Sequence, residues 1–164
     1  MLLTTLIEYN KSYKAGLLQA KAFRILKAHT NDALRPHGIN ATEWGILGVL
    51  LHERKGYSYS RIAEEIGVKV PFVTRSIRTL TDLGYISVAA DPEDTRSKIA
   101  MLTKEGTAFM KKTEPAVMAH VLKTFKGISK RDVLGYIKTL SAIIDNHSVP
   151  KVEMLDLEHL KVEA

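Results

Sequence analysis

One stretch of this chain, from Arg61 to Met101, constrains the fold more than any other. It reads RIAEEIG, VPFVTRSIRTLTDLG and YISVAADPEDTRSKIAM in close succession, without a long linker. The first two parts space their apolar residues as a helix does and end at a glycine, whereas the third has two β-prone runs around a charged loop. The stretch therefore predicts a helix, a turn, a second helix and a β-hairpin.

Elements in this order form a winged helix-turn-helix, which places one helix and one loop against different features of a DNA duplex. The second helix is predicted to run from Pro71 to Leu83 and to be followed by a left-handed cap at Gly84. Its apolar spacings of four, three and three predict one buried stripe, made by Val73, Ile77, Leu80 and Leu83.

Further helices are predicted on both sides of this unit. Pro115 lies within one of them and is expected to kink or break it. The N-cap signals are Asn40 with Glu43, Ser58, Thr103 and Ser129. The predicted helices cover Ser12 to Leu34, the run from Asn40 through Leu51, Ser58 to Ile66, Thr103 to Lys126 and Ser129 to Asn146.

The predicted fold class is mainly α with a small β-hairpin wing: a winged helix-turn-helix domain plus a helical dimerisation lobe. Residues 1–38 are expected to form an amino-terminal dimerisation helix, 39–103 the winged helix-turn-helix domain, and 104–164 the carboxy-terminal dimerisation helices. Both flanks carry more apolar surface than a monomer of this size needs, and such surfaces commonly pair across a two-fold axis.

Composition narrows the class of protein without identifying a function. The formal net charge of +6 favours an anionic partner. With no cysteine, disulfides and thiolate metal sites are excluded. The first residues include Glu8 and lack a basic n-region, and no run of about 18 uncharged apolar residues occurs. We therefore expect no signal peptide, no membrane contact, and a soluble, cytoplasmic protein.

Catalysis finds little support in the sequence. The chain contains no G-x-S-x-G, no P-loop, no dinucleotide fingerprint and no HExxH. Glu64 and Glu65 are neighbours on a helix, point in different directions, and are expected to be a solvated helix edge. No cofactor is expected, and the six histidines lack the close spacing of metal ligands, so no metal site is expected either.

The outward side of the second helix carries the first candidate binding residues. Arginine can contact guanine edges or hold phosphate, and serine and threonine can do either. Three basic residues on an isolated helix more often mark a solvated face, but their position directly after RIAEEIG and a glycine turn favours DNA contact. The candidates are Lys69, Phe72, Thr74, Arg75, Ser76 and Arg78.

The hairpin tip DPEDTRSK carries the second set of candidates. Its carboxylates should repel phosphate, but Asp94 can order the loop and aim Arg96, while Lys98 adds charge nearby. An ordinary charged turn held by Asx-type bonds from Asp91 and Asp94 explains the same residues equally well.

Four segments together resemble the MarR-type transcriptional regulators: INATEWGILGVL, YSRIAEEIGV, VPFVTRSIRTLTDLGYI and DPEDTRSKIAMLTKEG. The resemblance covers Ile39 to Gly106 by motif and the flanking helices by position. It implies a homodimer whose recognition helices enter the major groove of double-stranded DNA at a pseudo-palindromic operator. The wings would reach the flanking minor groove through Arg96, with Asp94 as its partner. On this basis the chain is expected to be a repressor and not an enzyme.

Two positions depart from the family pattern. Lys69 stands where relatives often have a small hydroxyl residue that caps the recognition helix and touches phosphate, and it can do only the second. Thr95 stands where the wing often has a further arginine. We therefore expect a wing that binds less strongly or reads a different groove shape.

Members of that family often bind a small aromatic or phenolic acid between the two lobes, and this effector weakens DNA binding. By position, the residues here that could line such a site are Tyr13, His37, Trp44 and Phe109, although buried aromatics are more often core. The alternative function is a winged-helix module for protein association, in which the basic helix docks an acidic partner and DNA is not bound.

Overall fold

The computed structural model describes residues 13–53, 55–92 and 97–146. Within these ranges the chain is mainly helical with a small three-stranded antiparallel sheet, which confirms the predicted fold class. The elements are α1 (Tyr13–Leu34), a 3₁₀ turn (Arg35–His37), α2 (Ala41–Leu51), β1 (Tyr57–Ser58), α3 (Tyr59–Ile66), α4 (Val70–Asp82), β2 (Ile86–Ala90), β3 (Lys98–Leu102), α5 (Lys104–Thr124) and α6 (Lys130–Asp145). None of the described helices combines the length and apolar character needed to cross a membrane.

The predicted N-caps are confirmed by side-chain hydrogen bonds. At the start of α2, Asn40 Oδ1 accepts from the backbone N–H groups of Thr42 and Glu43, and Asn40 N–H donates to Glu43 Oε2 at 2.8 Å. The capping box is therefore complete. Ser58 and Ser129 each accept from the backbone N–H three residues on, so α3 and α6 also begin where the sequence predicts.

The core lies where α2, α3 and α4 meet the sheet and α5. α2 is central to it, with Ile46, Leu47 and Leu50 almost wholly buried. Other helices and strands each contribute one to three apolar side chains: Leu34, Ile62, Val73, Ile77, Leu80, Ile86, Ala100, Met110 and Val117. The central helix α2 therefore holds α4 and the wing in one hydrophobic unit.

One prediction for the helices is wrong, and of the two outcomes expected at Pro115, a kink or a break, the break is excluded. Leu83 is exposed and does not extend the buried stripe, because α4 ends at Asp82 and the chain then turns away. Pro115 does not break its helix, since α5 runs continuously from Lys104 to Thr124. Pro115 is exposed, so the carbonyl that loses its hydrogen bond can face water.

The hairpin predicted around DPEDTRSK is confirmed, and a third strand joins it. β2 and β3 pair antiparallel with Ile86 opposite Leu102 and Val88 opposite Ala100, while β1 adds to the other edge of β3. β1 was not predicted, because two residues show no alternation and form a strand only through tertiary pairing.

The end of α4 is joined to the start of α5 by a group of four residues, Gly84, Tyr85, Thr103 and Gly106, which we call the Thr103 junction. Gly84 has φ 76°, and Tyr85 N–H donates to Leu80 O at 2.9 Å, as in a Schellman cap. Thr103 N–H donates to Tyr85 O at 3.0 Å, and its hydroxyl lies 2.8 Å from Gly84 O. The same hydroxyl oxygen caps α5 by accepting from Gly106 N–H at 2.9 Å.

Gly106 is required by the close approach of backbone at this junction. A Cβ added there would lie 2.2 Å from Tyr85 O, well inside van der Waals contact, and the obstructing atom belongs to the backbone. Because neither the strand nor the helix start can move without losing the Thr103 hydrogen bonds, the position tolerates no side chain.

We expect Gly106→Ala to lower the free energy of unfolding by about 2–3 kcal/mol, because it overpacks a rigid contact. The control is Gly48→Ala in α2, where an added Cβ would meet nothing within 4 Å. This control should instead be stabilised by about 0.5–1 kcal/mol, the usual gain of alanine over glycine inside a helix. Urea unfolding of the three proteins would measure both changes, and an unchanged Gly106→Ala variant would contradict the packing argument.

Candidate DNA-binding surface

The helix α4, which corresponds to the recognition helix expected from the sequence, is positioned by a tight turn from α3. Gly67 adopts φ 68°, and Val68 N–H donates to Ala63 O at 2.9 Å, which closes a second Schellman cap. α4 then packs through Val73, Ile77 and Leu80, as predicted. These contacts fix which side of α4 faces outward.

The outward side of α4 presents most of the predicted residues to solvent. Lys69, Phe72, Thr74, Arg75 and Arg78 are all exposed. Among the residues that the structure describes, Lys69, Arg75 and Arg78 form no ion pair. Two cationic side chains of α4 and a third at its N-cap are therefore exposed without a described ion pair.

One residue of the predicted outward side of α4, Ser76, is buried. Its exposed fraction is only 8%, because it lies three residues after Val73 and four before Leu80, within the buried stripe. The prediction that Ser76 faces outward was wrong, so Ser76 is not part of the outward surface.

The first turn of α4 has no side-chain cap. Lys69 occupies the N-cap position with extended backbone and makes no capping hydrogen bond, and Pro71 supplies one of the first helical residues. The helix dipole and the Lys69 ammonium group therefore add at this end, which favours an anion there.

The wing is described only at its base. Asp91 N–H donates to Ser97 O at 3.0 Å, which closes the hairpin just below its tip, and Lys98 is exposed at the start of β3. Asp94 and Arg96 lie outside the described residues, as does Thr95, so their predicted roles stay predictions.

Beneath the outward surface, a buried carboxyl group links α2 to α4. Glu43 is 6% exposed, accepts the capping hydrogen bond from Asn40, and is hydrogen-bonded by the Thr79 side chain of α4. Burial raises the pKa of Glu43 above its ordinary value of 4.5, and the two hydrogen bonds partly offset that rise. The sequence identified this residue as a capping group but gave no sign of its contact with α4.

The neighbouring carboxylates of α3 are engaged by one arginine. Arg61 pairs with Glu64 at 3.2 Å and also with Glu65. The Glu65 side chain is only 6% exposed, so the expectation of a solvated edge was wrong for this residue. Within the described ranges, no group of three or more histidine or carboxylate side chains could hold a metal ion.

Three of the four predicted effector residues come together around Phe109. The His37 and Trp44 rings meet Phe109 edge-on, with centroids 5.2 and 6.1 Å away, and Tyr85 stacks on it at 4.2 Å. Tyr85 was missed by the sequence reasoning, although an apolar ring directly after a glycine cap commonly packs back on the helix. Tyr13 is 59% exposed in the first turn of α1 and is not among the described ring contacts of this cluster.

The fold and the exposed basic helix define a protein of the winged helix-turn-helix class. A family model, described as MarR family, matches residues 37–97. The chain is 30% identical over 110 residues to the uncharacterized HTH-type transcriptional regulator YkoM of Bacillus subtilis (strain 168), with 67% of this chain and 71% of that protein covered. The chain therefore belongs to the MarR family and is a MarR-type transcriptional regulator.

Solved structures show the same fold at lower sequence identity. A MarR family regulator from Rhodococcus sp. RHA1 has a TM-score of 0.76 at 22% identity, over 82% of this chain and 95% of that one. A MarR family regulator from Streptomyces coelicolor in complex with DNA has a TM-score of 0.70 at 17% identity, over 84% and 89%. CouR from Rhodococcus jostii RHA1, bound to p-coumaroyl-CoA, has a TM-score of 0.70 at 23% identity, over 80% and 92%.

The raised pKa of Glu43 generates a pH prediction for stability. The folded protein holds the Glu43 proton more tightly than the unfolded chain does, so ionisation destabilises the fold as pH rises from about 4.5 through the raised pKa. Glu43→Gln removes this loss. We expect the melting temperature of Glu43→Gln, relative to the wild type, to increase from pH 4 upward and to level off above the raised pKa.

Thermal unfolding between pH 4 and pH 8 would measure this difference. The control is Glu105→Gln, the same change at an exposed carboxylate in the first turn of α5. If the melting temperature of the wild type instead rises relative to that of Glu43→Gln with increasing pH, the hydrogen bonds to the carboxylate have a larger effect on its pKa than burial has.

Proposed function

We propose that this MarR-type regulator binds double-stranded DNA sequence-specifically as a homodimer and acts as a repressor. The observation that carries the proposal is a set of three exposed cations, Lys69 at the N-cap of α4 and Arg75 and Arg78 on its outward face, which form no ion pair among the described residues. A helix of this diameter fits the major groove, which is about 12 Å wide.

The exposed residues in and next to α4 differ in the DNA groups that their side chains can contact. Arg75 and Arg78 lie near the middle of the outward face and would contact guanine edges or phosphate, with Thr74 beside them. Lys69 lies at the uncapped N-terminus and would hold phosphate together with the helix dipole. Phe72 is exposed and offers an apolar contact.

The wing would supply the second contact. Asp94 is proposed to order the tip and aim Arg96 into a minor groove, with Lys98 adding charge from the exposed start of β3. The hydrogen bond between Asp91 and Ser97 supports this by holding the two sides of the loop together just below the tip.

A homodimer is supported by apolar side chains that are exposed among the described residues. α6 has no buried residue along its whole length, and Ile143 and Ile144 are both exposed. α1 buries only Ala33 and Leu34. The exposed apolar residues of α1 include Leu17, Leu18, Phe23 and Ile25.

Covering these side chains would contribute about 1.5–3 kcal/mol for each one fully buried, which is enough to hold two copies together. We therefore propose residues 1–38 and 104–164 as the dimerisation segments and 39–103 as the DNA-binding domain.

A small aromatic or phenolic effector is proposed at the edge of the ring cluster formed by His37, Trp44, Tyr85 and Phe109. The similarity to CouR, whose structure holds p-coumaroyl-CoA, supports an aromatic ligand. The cluster also offers a route to the DNA surface, since Tyr85 belongs to both the cluster and the Thr103 junction at the end of α4. Tyr13 has no part in this proposed site.

DNA binding is tested by selecting bound fragments from a random duplex pool and measuring the affinity of three variants for the selected operator and for random duplex over a series of salt concentrations. Arg75→Ala should cost about 1–3 kcal/mol on the selected operator and much less on random duplex, because it would remove a base contact. Arg96→Ala should weaken binding to both alike and lower the salt slope by about one.

The matched control is Arg131→Ala, which removes the same charge from the start of α6, away from α4. It should leave the affinity for both duplexes close to that of the wild type. An absence of measurable binding to any duplex near physiological salt would reject this function and favour the protein-association alternative.

The dimer is tested by placing a charge on its proposed surface. Leu17→Glu and Ile143→Glu should shift the protein toward the monomer, because each would bury a carboxylate against apolar side chains. Phe72→Glu is the control, since it makes the same kind of change at an exposed apolar residue of α4 and should stay dimeric. Sedimentation over a concentration series measures the change, and a wild-type protein that is monomeric throughout would contradict the proposal.

A further inference from the structure

Phe72 is an exposed aromatic side chain on the helix that is proposed to enter the major groove. Its exposed fraction is 56%, and it lies in the first turn of α4. A single exposed apolar residue is ordinary on any protein and carries no argument alone. Phe72 differs because of the residue that covers part of its ring.

Arg75 lies one helical turn after Phe72 and places its guanidinium carbon 5.8 Å from the ring centroid. An arginine over an aromatic face is attracted by the ring and loses part of its freedom of orientation. Arg75 is also exposed, and no described carboxylate pairs with it, so the ring is its one described side-chain contact. The two side chains form one surface that is apolar at one end and cationic at the other.

The major groove offers a matching pair of features. The C5-methyl of thymine is the apolar group on its floor, and a phenylalanine side chain can contact it. The O6 and N7 atoms of guanine accept two hydrogen bonds from one guanidinium. Base pairs are stacked about 3.4 Å apart, so the 5.8 Å between the ring centroid and the guanidinium spans one or two base steps.

We propose that Phe72 and Arg75 act together as a specificity pair, in which the Phe72 ring contacts a thymine methyl and orients Arg75 toward a guanine one or two base pairs away. The inference rests on the proposed function, because it assigns sequence preference to the same DNA-binding helix. Phe72 is thus a contact residue for thymine and a positioning residue for Arg75. Each half-site of the operator carries a thymine and a guanine at this spacing.

The test removes the methyl group from the DNA without any other change. In the duplex selected from a random pool by the full-length protein, each thymine is replaced in turn by deoxyuridine, and the affinity of wild type and Phe72→Ala is measured at fixed salt. At one thymine in a half-site, we expect the deoxyuridine substitution to lower the affinity of the wild type about four-fold, the effect of one buried methyl group. Phe72→Ala should bind the two duplexes equally.

The matched control is Leu83→Ala, which truncates another exposed apolar residue, at the C-cap of α4 and so at the opposite end of the helix. It should keep the full methyl effect. Phe72→Leu separates contact from positioning, because leucine can touch the methyl but offers no ring to Arg75. It should keep part of the methyl effect, yet lose less affinity than the wild type when the paired guanine is replaced by 7-deazaguanine, which lacks the N7 acceptor.

The possible results distinguish this inference from the function on which it rests. If no duplex is enriched from the pool, the DNA-binding function fails and the inference fails with it. If an operator is found but no deoxyuridine substitution separates the wild type from Phe72→Ala, DNA binding stands and the thymine contact is overturned. If Phe72→Leu and the wild type respond equally to 7-deazaguanine, the positioning of Arg75 is overturned.

Discussion

The Thr103 hydroxyl and amide hold together the three elements on which the candidate site depends. Thr103 N–H donates to Tyr85 O, the hydroxyl lies 2.8 Å from Gly84 O, and its oxygen caps α5 through Gly106 N–H. The end of the recognition helix, the base of the wing and the start of α5 are thereby fixed at one point. An apolar contact holds the same place, since the Tyr85 ring stacks on Phe109 of α5 with the ring centroids 4.2 Å apart. A shift of α5 cannot leave the end of α4 unaffected, because hydrogen bonds and ring stacking both meet at Tyr85.

The sequence predicted the fold correctly at positions where one residue determines the local backbone conformation. The capping box of Asn40 and Glu43 and the left-handed Gly84 were confirmed, because each acts within a few residues of its own position. The errors arose where tertiary context decides. Ser76 is buried because its spacing from Val73 and Leu80 outweighs its polarity, and Leu83 is exposed because the helix ends one residue earlier. β1 exists only through its pairing with β3.

The candidate site divides in the same way. The exposure of Arg75 and Arg78 follows from helical periodicity, so the sequence predicted it. A spacing of three residues brings Arg75 next to Phe72 on the helix surface. Whether the guanidinium lies over the ring, however, depends on which other groups are near enough to bind it. The hydrogen bond of Thr79 to Glu43 joins residues far apart in sequence, and no pattern within either helix indicates it. The sequence therefore identified the outward side chains, and the structure showed the contacts that support them.

Charge and apolar surface have different tasks in this chain. The net charge of +6 is spread over the whole sequence, but the outward face of α4 concentrates cations where the described residues offer no ion-pair partner. The exposed apolar side chains of α1 and α6, among them Leu17 and Ile144, lie elsewhere and are not covered by the residues that the structure describes. In the proposed dimer, it is the packing of these apolar helices that sets the distance between the two recognition helices. In that dimer, the spacing of the operator half-sites would therefore be decided by residues that touch no DNA, and a change in their packing would alter affinity without altering any base contact.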